Sequence, residues 1–116
     1  MVIEKENQQV QIPIQIEKAD KFVSRFTGLM FRKKLPENKA LLLVPCKSIH
    51  MFFMRFPIDV MFLDKNNRVV KIVENLRPWS LVPPVRSAHS TLELPVGAIR
   101  RHGIQVGDRV GFESLA

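Results

Sequence analysis

Cysteine is nearly missing from this chain: Cys46 stands alone among 116 residues, so no internal disulfide can staple the fold. A lone thiol agrees with a reducing compartment and serves either as core filler or as a reactive group. Long hydrophobic runs are missing too. The longest, Ala40 to Val44 and Ile58 to Leu63, fall far short of the roughly 20 residues that cross a bilayer. The opening residues carry Glu4, Lys5 and Glu6 and lack the basic-then-apolar layout of a secretory leader. The expectation is a cytoplasmic protein with no membrane attachment. There is no internal repeat or low-complexity tract, which predicts a single domain over residues 1–116 with a core from about residue 10 to 112 and frayed ends. No Gly-rich phosphate loop, Gly-x-Ser-x-Gly elbow or HExxH helix occurs, so the common enzyme signatures are excluded. A basic helix, an aromatic-glycine RNA signature and a Cys/His finger are equally absent.

What is present is ordinary globular composition, 46% hydrophobic and 25% charged, in a chain long enough to bury roughly two thirds of its unfolded surface. The net charge of +7 gives a positive surface potential that attracts phosphate-rich partners. The basic residues are nevertheless dispersed, with short clusters only at Arg32 to Lys34 and Arg100 to Arg101. Nucleic-acid binding through a basic surface is therefore a lesser alternative, and a plain soluble basic surface accounts for the charge.

Val10-Gln11-Ile12-Pro13-Ile14-Gln15-Ile16 alternates with period two, the pattern of a half-buried strand. Pro13 lacks an N–H, which puts that strand at a sheet edge and leaves room for a homodimer or for strand addition by a partner. After Asp20 as N-cap, Phe22, Val23, Phe26, Leu29 and Met30 recur at helical spacing and predict a short amphipathic helix. Ala40 to Val44 reads as a buried strand and Ile49 to Phe56 as an apolar β-forming stretch that Pro57 ends. Ile58 to Leu63 and Arg68 to Val73 flank Asp64-Lys65-Asn66-Asn67, a turn sequence, and predict a hairpin. Arg77 to Ser87 holds three prolines and no period, hence a long loop. Thr91 to Leu94 reads as a strand, Gly97 to His102 as one helical turn, and Arg109 to Phe112 as a last strand after a turn at Gly107-Asp108. The fold class is mostly β (α+β): a small β-barrel or sandwich of six to eight strands, with one short helix after the first strand and a helical turn near the C-terminus.

The ordered series Arg25-Phe26-Thr27-Gly28-Leu29-Met30-Phe31-Arg32, Leu35-Pro36, Met54-Arg55-Phe56-Pro57-Ile58-Asp59-Val60-Met61-Phe62-Leu63-Asp64, Leu92-Glu93-Leu94-Pro95-Val96-Gly97 and Gly103-Ile104-Gln105-Val106-Gly107-Asp108-Arg109-Val110 resembles the domain of unknown function 192 family. The resemblance implies a small β-rich barrel or sandwich with a short helix after the first strand, and it implies no established activity. Many members carry an export or lipid-anchor leader, and this chain is expected to depart from them in having none.

Cys46, His50 and Met54 lie four residues apart and fall on one face of a strand, a set of donors that suits a soft metal. On a straight strand four residues span about 13 Å, too far for one ion to bridge. A core face with a satisfied histidine is the plainer reading, and neither a resident metal nor a cofactor is expected. Asp59, within an apolar strand, needs a partner such as Arg55, Arg25 or backbone N–H groups. Asp64 and Asp108 sit at turns, where their side chains bond nearby backbone. Trp79, in a Pro-rich loop, either pins the loop or stacks on a ligand. The leading reading is a binding or accessory module whose pocket, formed by His50, Met54, Arg55, Asp59, Trp79 and Glu93, holds a small polar or anionic molecule or a peptide segment. The alternative from another class is a small hydrolase or transferase using His50 with Asp59 or Glu93.

Overall fold

Ten strands and one short helix are found in the part of the chain that the computed structural model describes, residues 1–18, 35–51 and 54–112. Two of the strands, β6 (Ile58–Leu63) and β9 (Ser90–Pro95), are buried at every position. They lie side by side in the middle of a five-stranded sheet of order β3-β4-β9-β6-β7, built with β3 (Gln15–Lys18), β4 (Lys39–Leu43) and β7 (Val69–Leu76). A strand with both faces covered reads as a continuous apolar run, which is why Ile58 to Leu63 shows no alternation. Its side chains still divide by face. Met61 and Leu63 join Leu92 and Leu94 in a first core with Ile3, Ile99 and Val110, while Ile58, Val60 and Phe62 join a second core with Leu43, Ile49, Met51 and Val82.

The first core is covered by a three-stranded antiparallel sheet of order β10-β1-β2, formed by β1 (Val2–Lys5), β2 (Gln8–Gln11) and β10 (Arg109–Gly111), together with the helix α1 (Ala98–Arg101). The second is covered by a two-stranded ribbon of β5 (Ile49–His50) and β8 (Leu81–Val82). The expected barrel is corrected by this topology: the five-stranded sheet ends at β3 on one side and β7 on the other among the described residues, so the sheets do not close. The mostly β class and the helical turn near the C-terminus stand as expected. The expected helix from Asp20 to Met30 lies outside the described residues.

The reading of Val10 to Ile16 as one strand is also corrected. Pro13 offers no donor, Ile14 N–H turns back to the Ile12 carbonyl at 2.7 Å, and the segment divides into β2 and β3, which belong to different sheets. The alternation still reports a real face, because Val10, Ile12, Ile14 and Ile16 all pack into the first core. The residues expected to fray at the start instead form β1, the middle strand of its sheet, with Ile3 fully buried. Its partner β10 comes from the far end of the chain, beyond the reach of a local pattern. Lys5 Nζ locks that arrangement, donating to Asp108 Oδ2 at 2.6 Å and to the Gly103 carbonyl at 2.8 Å. Among the described residues of the stretch Ile49 to Phe56, only Ile49 and His50 are strand, and they pair with two residues of the segment read as pure loop.

The hairpin of β6 and β7 is turned by Asp64, whose Oδ1 accepts from Asn66 N–H at 2.8 Å and Arg68 N–H at 3.0 Å, with Asn67 left-handed at φ 64°. Leu92, fully buried between β4 and β6, tests the central position of β9. Leu92→Ala should destabilise the fold by about 3 kcal/mol, read as a lower urea midpoint at unchanged m-value, and a loss under about 1 kcal/mol would contradict that placement.

Candidate functional site

Asp59 and Glu93 are one ladder step apart, Asp59 opposite Leu94 and Glu93 opposite Val60, and the alternation of strand side chains sends them to opposite faces of the sheet. Asp59 sits where the register between β6 and β7 shifts. Its Oδ1 accepts the Asn75 N–H at 2.9 Å, and its Oδ2 accepts the Gly97 and Ile99 N–H groups, each at 3.0 Å. Asn75 is left-handed at φ 52°, as a residue bulged out of a ladder commonly is. Gly97, at φ 90°, occupies a conformation that costs a side chain strain, and it opens α1. Of the partners expected for Asp59, the backbone N–H groups are the ones found among the described residues, outside which Arg25 lies, and a buried carboxylate with three of them is a structural brace.

Glu93 belongs to the other face, between Leu41 on β4 and Val60 on β6, with the second core around it. It is buried, and loss of water around the carboxylate pushes its pKa from 4.5 up to about 7. Met54 is half-buried against the same core, whereas Arg55 is exposed. His50 faces outward from the ribbon opposite Leu81, as Ile49 and Val82 take the inward positions. Trp79 extends the ribbon: its N–H donates to the Met51 carbonyl at 2.7 Å, and Met51 N–H donates to the Ser80 carbonyl at 2.7 Å. Trp79 is 61% exposed at φ 66°, and Leu81 is 58% exposed.

The six candidate residues thus fall into groups. His50 and Trp79 are outer residues of the ribbon, Glu93 and Met54 belong with the second core, Arg55 is at the surface, and Asp59 braces the opposite side of the sheet. Leu81, which completes the exposed surface of the ribbon, escaped the sequence reading because a two-residue strand inside a proline-rich segment has no period to detect. Cys46 packs with the second core and places its Sγ 3.0 Å from the Ser48 carbonyl. The chain from Cys46 to Met54 is not one continuous strand, so Cys46 and Met54 point into the core while His50 points out. No group of three His, Cys, Asp or Glu side chains able to hold a metal occurs among the described residues. Among them, too, no helix is long and apolar enough to cross a membrane.

A family model described as "Uncharacterized ACR", for domain of unknown function 192, matches residues 2–112. The chain belongs to that family. Its β1 and β10 both fall within the match, so the strand pairing that joins the two ends of the chain belongs to the family's span. Similar proteins include a UPF0127 protein of Pyrococcus furiosus, 40% identical with 90% of this chain and 92% of that protein covered. Another, from Pyrococcus abyssi, is 36% identical over 94% of this chain and 95% of its own length. Among solved structures, a protein of unknown function from Novosphingobium aromaticivorans superimposes with a TM-score of 0.79 at 24% identity, over 95% of this chain and 81% of that one. That likeness concerns the fold alone.

Both acids make measurable predictions. Asp59→Ala leaves three amide donors without their acceptor and should destabilise the protein by about 4 kcal/mol in chemical denaturation. For Glu93, the folded state holds a proton that the unfolded chain releases between pH 4.5 and about 7. Stability should therefore fall as pH rises through that window, by about 3 kcal/mol in total, and level off above it. Glu93→Gln should flatten this part of the pH–stability curve, and an unchanged curve would show that the slope arises elsewhere.

Proposed function

We propose that this protein is a binding module whose recognition surface is the outer side of the β5–β8 ribbon. There Trp79, Leu81 and His50 hold a peptide segment or a small polar or anionic ligand. The observation that carries the reading is Trp79, a large aromatic side chain 61% exposed on a backbone at φ 66°. A non-glycine residue in the left-handed region costs of order 1 to 3 kcal/mol and persists where its surroundings impose it, a pattern concentrated at ligand-contacting segments. An exposed indole supplies a flat apolar platform, and His50 stands opposite Leu81 on the same ribbon. Two main-chain hydrogen bonds to Met51 fix the platform against the second core, so it is ordered before a ligand arrives.

The module works in the cytoplasm on this reading, where the Cys46 thiol stays reduced. The rival reading, a hydrolase or transferase using His50 with Asp59 or Glu93, has weaker support. Asp59 is bonded to three amides on the far side of the sheet, and Glu93 belongs to the apolar core beneath the ribbon.

Trp79 is the chain's single tryptophan, so its emission reports on the proposed surface without labelling. Titration with a panel of short peptides and acidic metabolites should give at least one ligand that shifts that emission and raises the melting temperature. Trp79→Gly should abolish the thermal shift while leaving the stability of the free protein within about 1 kcal/mol, since relief of backbone strain offsets the lost indole contacts. A ligand that stabilises the Trp79→Gly protein as well as the parent would sink the proposal.

A further inference from the structure

At the end of β6 opposite Asp59, three loops meet around a cavity of about 310 Å³ lined by Lys47, Asp64, Lys65, Asn66, Arg86, Ser87, Ala88 and His89. None of these residues belongs to the ribbon surface of His50, Trp79 and Leu81. We propose that this cavity is a binding site for a small molecule that carries a phosphate group. Lys47, Lys65 and Arg86 reach it from three separate segments of the chain, and none of the three is engaged in an ion pair with a described residue. The acid among the lining residues, Asp64, has its Oδ1 bonded to the Asn66 and Arg68 N–H groups and serves the hairpin turn. The cationic side chains therefore outnumber the acid, and the acid is already bonded to the turn. The half-buried His89 and the hydroxyl of Ser87 add further hydrogen-bonding capacity to the wall.

The walls are braced by main chain. His89 N–H donates to the Leu63 carbonyl at 2.7 Å, Cys46 N–H to the His89 carbonyl at 2.9 Å, Val85 N–H to the Lys47 carbonyl at 2.8 Å, and Ala88 N–H to the Val85 carbonyl at 3.0 Å. These bonds tie the loop after β4, the hairpin turn and the loop before β9 to one another, so bringing the three cations together requires no folding of the loops around a ligand. A phosphate presents three oxygens and up to two charges, matching cations supplied by three segments of the lining, where a carboxylate offers two oxygens and one charge. The cavity volume lies at the small end of ligand sites, which suits a compact phosphate-bearing molecule and not a polymer. The overall charge of +7 raises the local concentration of any such anion.

Isothermal titration of the whole protein with pyrophosphate at low ionic strength tests the site, with succinate and a short single-stranded oligonucleotide as comparison ligands. Saturable binding of pyrophosphate is expected, weakened about tenfold by Arg86→Ala and by Lys47→Ala, with succinate about tenfold weaker on the parent protein. Arg100→Ala removes an exposed charge from α1, outside the cavity, and should alter the affinity by no more than about twofold. The substituted side chains are exposed, so an unchanged melting temperature confirms that each variant is folded. Absence of saturable binding, equal weakening by Arg100→Ala, or succinate or the oligonucleotide binding as tightly as pyrophosphate would each overturn the proposal.

Discussion

A single buried carboxylate holds three parts of this fold in place. Asp59 lies in the interior of β6 and receives amides from β7, from the turn after β9 and from the first turn of α1. Each of those amides is left without a ladder or helix partner by an irregularity: a register shift for Asn75 and the opening of a helix for Gly97 and Ile99. The carboxylate collects the donors that these irregularities strand, and the position of α1 over the first core follows from it. Two oxygens in an apolar interior are stable only because the amides satisfy them, so the brace and the irregularities depend on each other.

The central pair β6 and β9 then divides the protein into two cores with different coverings. One side receives the sheet of β1, β2 and β10 and the helix, tied together by the Lys5–Asp108 ion pair at 2.6 Å. The other receives the short ribbon, whose inward residues Ile49 and Val82 join the core and whose outward residues carry His50, Trp79 and Leu81. Glu93 also lies on that second side, a carboxyl group in an apolar core whose pKa is raised by burial. The strained aromatic residue is thus on the outside of the fold, and the braced acid is on the inside.

The hairpin at Asp64, the strand at Thr91 to Leu94 and the helical turn after Gly97 were legible because each has a local cause: a side chain bonding its own turn, an alternation of polar and apolar residues, a glycine at the start. The roles of Asp64 and Asp108 at turns were legible for the same reason. Illegible were β1, whose partner β10 comes from the opposite end of the chain, and the division of Val10 to Ile16 between two sheets, because alternation reports a face and not a partner. Of the proposed surface, His50 and Trp79 were named from residue type, but Leu81 and the cation-lined cavity were not. Their neighbours are distant in sequence and share no periodic pattern.

By itself the sequence determined the mostly β character, the main hairpin, the C-terminal helical turn and membership of a family, since these rest on local hydrogen bonding, on apolar spacing and on ordered motifs. Only the tertiary structure decided that the sheets stay open among the described residues, that Asp59 and Glu93 turn to opposite faces, and that Lys47, Lys65 and Arg86 line one cavity. The physical reason is that a side chain's face and neighbours are set by strand register and by pairing between distant segments. A one-residue change in register reverses every face along a strand, and nothing in the local sequence records which distant strand will supply the ladder.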